Sequence, residues 1–215
     1  MKRFALFILS GLCFTISFAQ DDNTFIKQGL LKATATISPA FMLQQSVENI
    51  YINGESEYFI ENRISVRGDL YWFLGSQKKP SLLNQNSFIV SGALYHFPKR
   101  NLDYFIGFQP GISFVQPNII YVHAGPGTLI NWVDIPSPSK VCPTISAITG
   151  ITYYVGDYFN FFLNIRYTKA RYFGGGQDVL NLDQLIISGG LGFDIDTKKF
   201  SSNSHRPPAS APKFN

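Results

Sequence analysis

Between Ile64 and Leu74 the chain alternates without a break. Ile64, Val66, Leu70, Trp72 and Leu74 fall on one side, and Ser65, Arg67, Asp69, Tyr71 and Phe73 on the other. Successive side chains of a strand point to opposite faces, so this segment builds a sheet with one apolar and one polar face. The same period of two returns wherever the Gly, Pro and Asn clusters stop, and no segment after residue 20 sustains an apolar period of 3.6. Eight strands are predicted, at 30–43, 49–60, 64–75, 87–97, 104–115, 141–155, 159–172 and 184–195. Each is about 10 to 15 residues long, and a tilted strand needs about 9 to 11 to cross a hydrocarbon layer. An open sheet in lipid would leave backbone N–H and C=O groups unpaired, so the strands must close on themselves. The predicted fold class is all-β, an eight-stranded antiparallel up-and-down transmembrane β-barrel over residues 20–195.

The connections point the same way. Those at Glu61–Arg63, Pro98–Asp103 and Gly156–Tyr158 are short, and the others are mostly longer. The segment 116–140 carries Pro117, Pro126, Pro136 and Pro138 with Gly125 and Gly127, and 173–183 opens on Phe173 followed by Gly174, Gly175 and Gly176. Outer-membrane barrels have short periplasmic turns, longer outside loops and both termini in the periplasm. Composition agrees: aromatics reach 15% and charged residues only 15%, against about 25% charged in soluble domains.

The first nineteen residues read as a secretory signal: basic Lys2 and Arg3, an apolar run from Phe4 to Phe18, and small Ser17 and Ala19 before Gln20, with cleavage after Ala19. The run is broken by Ser10, Gly11, Thr15 and Ser17 and falls short of the roughly 20 apolar residues of a spanning helix. Leu12 before Cys13 is too large for lipoprotein processing. Without Lys2 and Arg3, sixteen basic residues face fourteen acidic ones, a charge of +2 that gives no nucleic-acid signature. Cys142 is then the sole cysteine, so no internal disulfide forms. His96, His123 and His205 lie far from one another and from Cys142, which gives no metal-ligand spacing, and they read as surface or girdle residues. No cofactor is implied. Residues 196–215, with Pro207, Pro208, Pro212 and several serines, read as a disordered tail.

Closure brings polar residues together inside. A turn centred on Asn62 pairs positions whose numbers sum to 124, setting Glu57 opposite Arg67 and Glu55 opposite Asp69. Arg67 also lies diagonal to Glu55 and is expected to serve both Glu55 and Glu57. The last strand must pair with the first, so Asp194 and Lys32 are expected to approach each other. With inward Arg166, these groups form a packed polar core, because eight strands enclose a space that side chains fill; a wide pore is excluded. Two neighbouring carboxylates can signal acid–base catalysis, but Arg67 offers a counter-charge and makes structural pairing the better reading of Glu55 and Glu57. A hydrolase would need a Ser within reach of a His such as His123, and the spacing places none there. Outward Trp72, Tyr104, Tyr153 and Tyr167 read as interface girdles. Lys169 and Arg171 face outward at the outer end of the seventh strand, where they contact glycolipid phosphates or simply snorkel.

The signal end Ser17-Phe18-Ala19-Gln20, the segment Arg63–Tyr71, the run Gly107-Phe108-Gln109-Pro110-Gly111 and the stretch Ile187–Phe193 together resemble the small outer-membrane barrels of the OmpX and OmpA transmembrane-domain type, especially those of Bacteroidetes. The resemblance covers nearly all of the mature chain and implies architecture rather than activity. Members of this type usually end on a terminal aromatic, whereas here Phe193 is followed by twenty-two residues.

The function expected is non-enzymatic: a structural or surface-interaction barrel in the outer membrane, displaying loops 76–86, 116–140 and 173–183. Its partners are outer-membrane lipid and an extracellular or periplasmic protein. Three alternatives remain at this stage: a component of a secretion or assembly apparatus, a soluble lipocalin-like binder of an apolar ligand, and a lipid-modifying barrel enzyme. Inward charges on the second and third strands argue against the lipocalin reading.

Overall fold

In a computed structural model, residues 25–198 are described, except 46, 78–81, 124–130, 137, 157 and 174–178; side chains are not described for 119–137. The expected signal at 1–19, and the tail beyond Lys198, lie outside these residues. Ten strands follow in chain order: β1 (Leu30–Met42), β2 (Val47–Glu61), β3 (Ile64–Ser76), β4 (Leu83–Lys99), β5 (Leu102–His123), β6 (Asn131–Pro136), β7 (Lys140–Val155), β8 (Phe159–Phe173), β9 (Val179–Asn181) and β10 (Gln184–Asp196).

Eight of them form the wall. Each of β1, β2, β3, β4, β5, β7, β8 and β10 pairs antiparallel with the next, and β10 returns to β1. The barrel is therefore closed and up-and-down, as the alternation predicts. β6 and β9 are additions within the two long loops: β6 pairs with Asn118–His123, so β5 runs on past the barrel rim as a hairpin, and β9 pairs with Arg171–Phe173. Sequence reading took 116–140 as irregular because of its Pro and Gly residues. Pro117 and Pro136 instead sit at the base of the hairpin, and the β-branched and aromatic residues between them favour pairing. Two of the short turns carry a positive φ, Arg100 at 54° and Gly156 at 67°.

The closing seam is the least regular part of the wall. Leu30–Thr34 pair with Gly192–Asp196 and Ala40–Met42 with Gln184–Ile186, while Ala35–Pro39 have no ladder partner on that side. Side chains bridge the gap. The Thr36 hydroxyl donates to the Gly189 carbonyl at 2.8 Å, and Ser38 and Ser188 hydroxyls meet at 2.7 Å inside.

The two faces differ in chemistry. Every wall strand exposes a large aliphatic side chain: Ile37, Ile52, Leu70, Ile89, Ile106, Ile145, Leu163 and Leu191 are each at least 45% exposed. A soluble monomer rarely shows so continuous an apolar belt. Inside stand Lys32, Glu55, Glu57, Arg67, Asp69, Gln109, Asn164 and Arg166, all buried. A ligand-holding soluble barrel needs the inverse arrangement, which this wall does not have.

Candidate functional site

Strand alternation turns Arg67 and Asp69 of β3 inward together, two residues apart on one face. The Arg67 guanidinium donates to the Glu55 carboxylate and, through Nη2 and Nε, to Asp69 Oδ1 at 2.8 and 3.0 Å. Asp69 Oδ2 in turn faces Arg166 Nη2 of β8 at 2.8 Å across the barrel. Gln109 of β5 donates from Nε2 to Asp69 Oδ2 at 2.7 Å and accepts from Arg166 Nη1 at 2.6 Å. Ser146 and the Tyr71 hydroxyl complete the shell of Arg166, at 2.7 and 3.1 Å. Two arginines thus share one aspartate, and each guanidinium faces a carboxylate within the barrel, which offsets much of the cost of burying such charges.

Nearer the end that carries the short turns, Lys32 of β1 stands 3.2 Å from Glu57 Oε2 and donates to Thr152 Oγ1 at 3.2 Å. The register is as expected: Glu57 is opposite Arg67, Glu55 opposite Asp69, and Lys32 opposite Asp194. One of the expected side-chain pairings differs. Arg67 serves Glu55 and Asp69 rather than Glu57, because Glu57 is also opposite Lys32 and closes on that ammonium. Asp194 stands opposite Lys32 as expected, and its Oδ1 accepts from the Asn160 amide at 2.8 Å.

His96 is neither a surface nor a girdle residue. It is fully buried, with Nδ1 2.8 Å from Asp103 Oδ2 and Nε2 2.8 Å from Ser65 Oγ and 2.9 Å from Glu57 Oε1. Outward Tyr95 and Phe97 on either side carried the signal that would have turned it inward. Ser65, His96 and Asp103 stand in the order of a nucleophile, base and orienting acid. Their surroundings do not support acyl transfer. The Ser65 hydroxyl donates to Glu57 at 2.7 Å, the residue has no exposed surface, and the backbone around it is paired on both sides in the β2–β3–β4 ladders. No free N–H pair is left there for an oxyanion. His123, the histidine considered from the sequence, has no described side chain.

Apolar clusters lie above and below the polar layer. At the turn end Ile26, Leu30, Phe59 and Tyr154 pack together, with Phe25 stacked on Tyr154 at 4.4 Å between ring centroids. The segment before β1 is held there by Phe25 N–H to the Arg100 carbonyl at 3.3 Å and Gln28 N–H to Asn62 Oδ1 at 3.1 Å. At the loop end Met42, Leu83, Val115, Cys142, Tyr172 and Leu182 cluster, above a layer in which Tyr71 stacks on Phe88. On the outside, Tyr104 and Tyr153 lie near the turn end, and Trp72 and Tyr167 near the loop end; all four are exposed. Lys169 and Arg171 also face outward, beyond Tyr167 on β8.

No family model matches this sequence, and none of the curated proteins does. Among solved structures the chain is similar to Neisserial surface protein A (NspA), with a TM-score of 0.56 and 17% identity over 78% of this chain and 96% of that one. It is likewise similar to the outer membrane protein OprG from Pseudomonas aeruginosa, with a TM-score of 0.57 and 11% identity over 79% and 97%. At these identities the likeness is one of fold: a closed eight-stranded antiparallel barrel whose extent matches nearly the whole of each neighbour.

Proposed function

We propose that this chain is an outer-membrane barrel with a side-chain-filled interior, acting non-enzymatically as a structural or surface-interaction protein through the loops at one end. The observation that carries this reading is the pairing of a continuous apolar belt outside with a buried network of ion pairs inside. An apolar exterior is stable in hydrocarbon and costly in water. Among the described residues, the interior is occupied by this ionic layer between apolar clusters at the two ends. What remains for recognition is the rim where β5 and β6 project and where loops 76–86, 116–140 and 173–183 emerge. The fold shared with an outer membrane protein and a surface protein supports the same location, as does the export signal read at residues 1–19. The partner on that rim is a protein of the cell exterior; the turn end faces the periplasm.

The test is gel mobility in detergent of the outer-membrane fraction, with and without boiling, using chain expressed with its own first nineteen residues. The expected result is a heat-dependent shift confined to that fraction. Recovery as a soluble periplasmic protein with no shift would overturn the reading. For catalysis the variant Ser65→Ala is decisive: it is expected to leave the masses of extracted lipids unchanged, and a changed lipid profile would make Ser65 a nucleophile.

A further inference from the structure

The outward face of β8 runs Phe159, Phe161, Leu163, Ile165, Tyr167, Lys169 and Arg171. At about 3.3 Å per residue, Lys169 lies about 33 Å along the strand from Phe159, or about 25 Å along the barrel axis at a tilt near 40°. That is about the height of the apolar band of such barrels, so the two cations stand at its loop-side edge. Ile145 of β7 is the direct partner of Lys169, and the same register puts Pro143 beside Arg171. With Phe173 these residues line an open groove of about 300 Å³.

Neither cation has an ion pair or side-chain hydrogen bond among the described residues. Lys140 nearby is engaged elsewhere: its ammonium donates to the Phe173 carbonyl at 2.6 Å and lies over the Tyr172 ring. On the other side the register sets Asp183 opposite Lys169, and its carboxylate accepts from the Tyr167 hydroxyl at 3.3 Å rather than pairing with that ammonium. A cation that only snorkels needs nothing beside it. Here two cations on one face, without an ion pair among the described residues, adjoin an apolar groove beside the lipid-facing belt. Phosphate and acyl chain are thereby offered complementary surfaces within one site.

We propose that Lys169, Arg171 and the groove beside them bind a phosphorylated lipid of the outer leaflet, its phosphate on the two cations and one acyl chain running from Ile145 into the belt past Tyr167 and Ile165. The proposal rests on the outer-membrane reading above. Its test uses the full chain in phosphatidylcholine nanodiscs, where a heat-dependent gel shift first establishes insertion. Diphosphoryl lipid A is then titrated in, and native mass spectrometry counts the molecules retained on the released protein. Replacing both cations (Lys169→Ala with Arg171→Ala) is expected to weaken retention on the order of tenfold or more. The charge-keeping pair Lys169→Arg with Arg171→Lys is expected to preserve it. Equal retention of dephosphorylated lipid A, or by the double alanine variant, would overturn the proposal. So would displacement by inorganic phosphate at matching concentration, which would make the site one for free anions. A chain that inserts but fails these arms loses only the lipid site; a chain that never inserts overturns the outer-membrane reading as well.

Discussion

Arg67 holds Glu55 and Asp69 in a space without bulk water, and Asp69 is itself the bridge to Arg166. Removing one member of such a set leaves charge uncompensated, at a cost of about 3 to 5 kcal/mol for a buried pair. Arg67→Ala is therefore expected to lower the urea midpoint of the barrel folded in vesicles by several kcal/mol of stability. The cost should shrink when Asp69→Asn and Glu55→Gln are added, because the orphaned charges then disappear. A single variant as stable as the parent would show that the interior network contributes nothing to holding the barrel. This network was legible in part from spacing alone. Parity along β2 and β3 placed Glu55, Glu57, Arg67 and Asp69 inside, and the turn at Asn62 fixed who stands opposite whom. Parity does not fix which of two flanking strands a long side chain leans toward. Glu57 has Lys32 on one side and Arg67 on the other, and only the three-dimensional positions of Ser65 and His96 show that it belongs to the Lys32 group.

At the scale of elements, the wall strands follow the period-two pattern closely because each must bury one face and expose the other; a slip of one residue would turn the charges of β3 into lipid. The hairpin β5–β6 escaped that logic. It stands beyond the rim, where no hydrocarbon layer imposes alternation, and its flanking prolines look like loop punctuation. The seam between β1 and β10 was predicted as a pairing, yet its central gap was not, since nothing in Ala35–Pro39 except Pro39 itself announces a missing donor. There the Thr36 hydroxyl stands in for the ladder by donating to Gly189. Thr36→Val keeps shape and removes that donor, leaving the Gly189 carbonyl without it at the gap in the ladder. A loss of about 1 to 3 kcal/mol is expected, read as a lowered unfolding midpoint in vesicles. The same change at Thr149, whose hydroxyl donates to the Phe105 carbonyl within an unbroken β5–β7 ladder, should cost less. Equal costs at the two positions would show that the seam is no weaker than the rest of the wall.

For the molecule as a whole, the polar layer and the two apolar caps act in series along the axis. A hydrated ion entering from the turn end meets Ile26, Leu30, Phe59 and Tyr154, then the Lys32–Glu57 pair, then the linked set of Arg67, Asp69, Gln109 and Arg166, then the rings of Tyr71 and Phe88, and last the cluster around Met42 and Leu83. Passage would require shedding water, whose loss costs several kcal/mol per ion even after relaxation, while the inward charges are already paired with one another. Planar bilayers containing the folded chain are therefore expected to show no discrete conductance steps. The variant Phe59→Ala with Tyr154→Ala separates the two barriers, since it opens the turn-end cap and removes no member of the linked set of Arg67, Asp69, Gln109 and Arg166. If the ionic layer is the main obstacle, this variant stays silent too; steps that appear only in it would locate the barrier in the cap, and steps in the parent chain would mean that the interior is not filled in the membrane and that conduction belongs to its function.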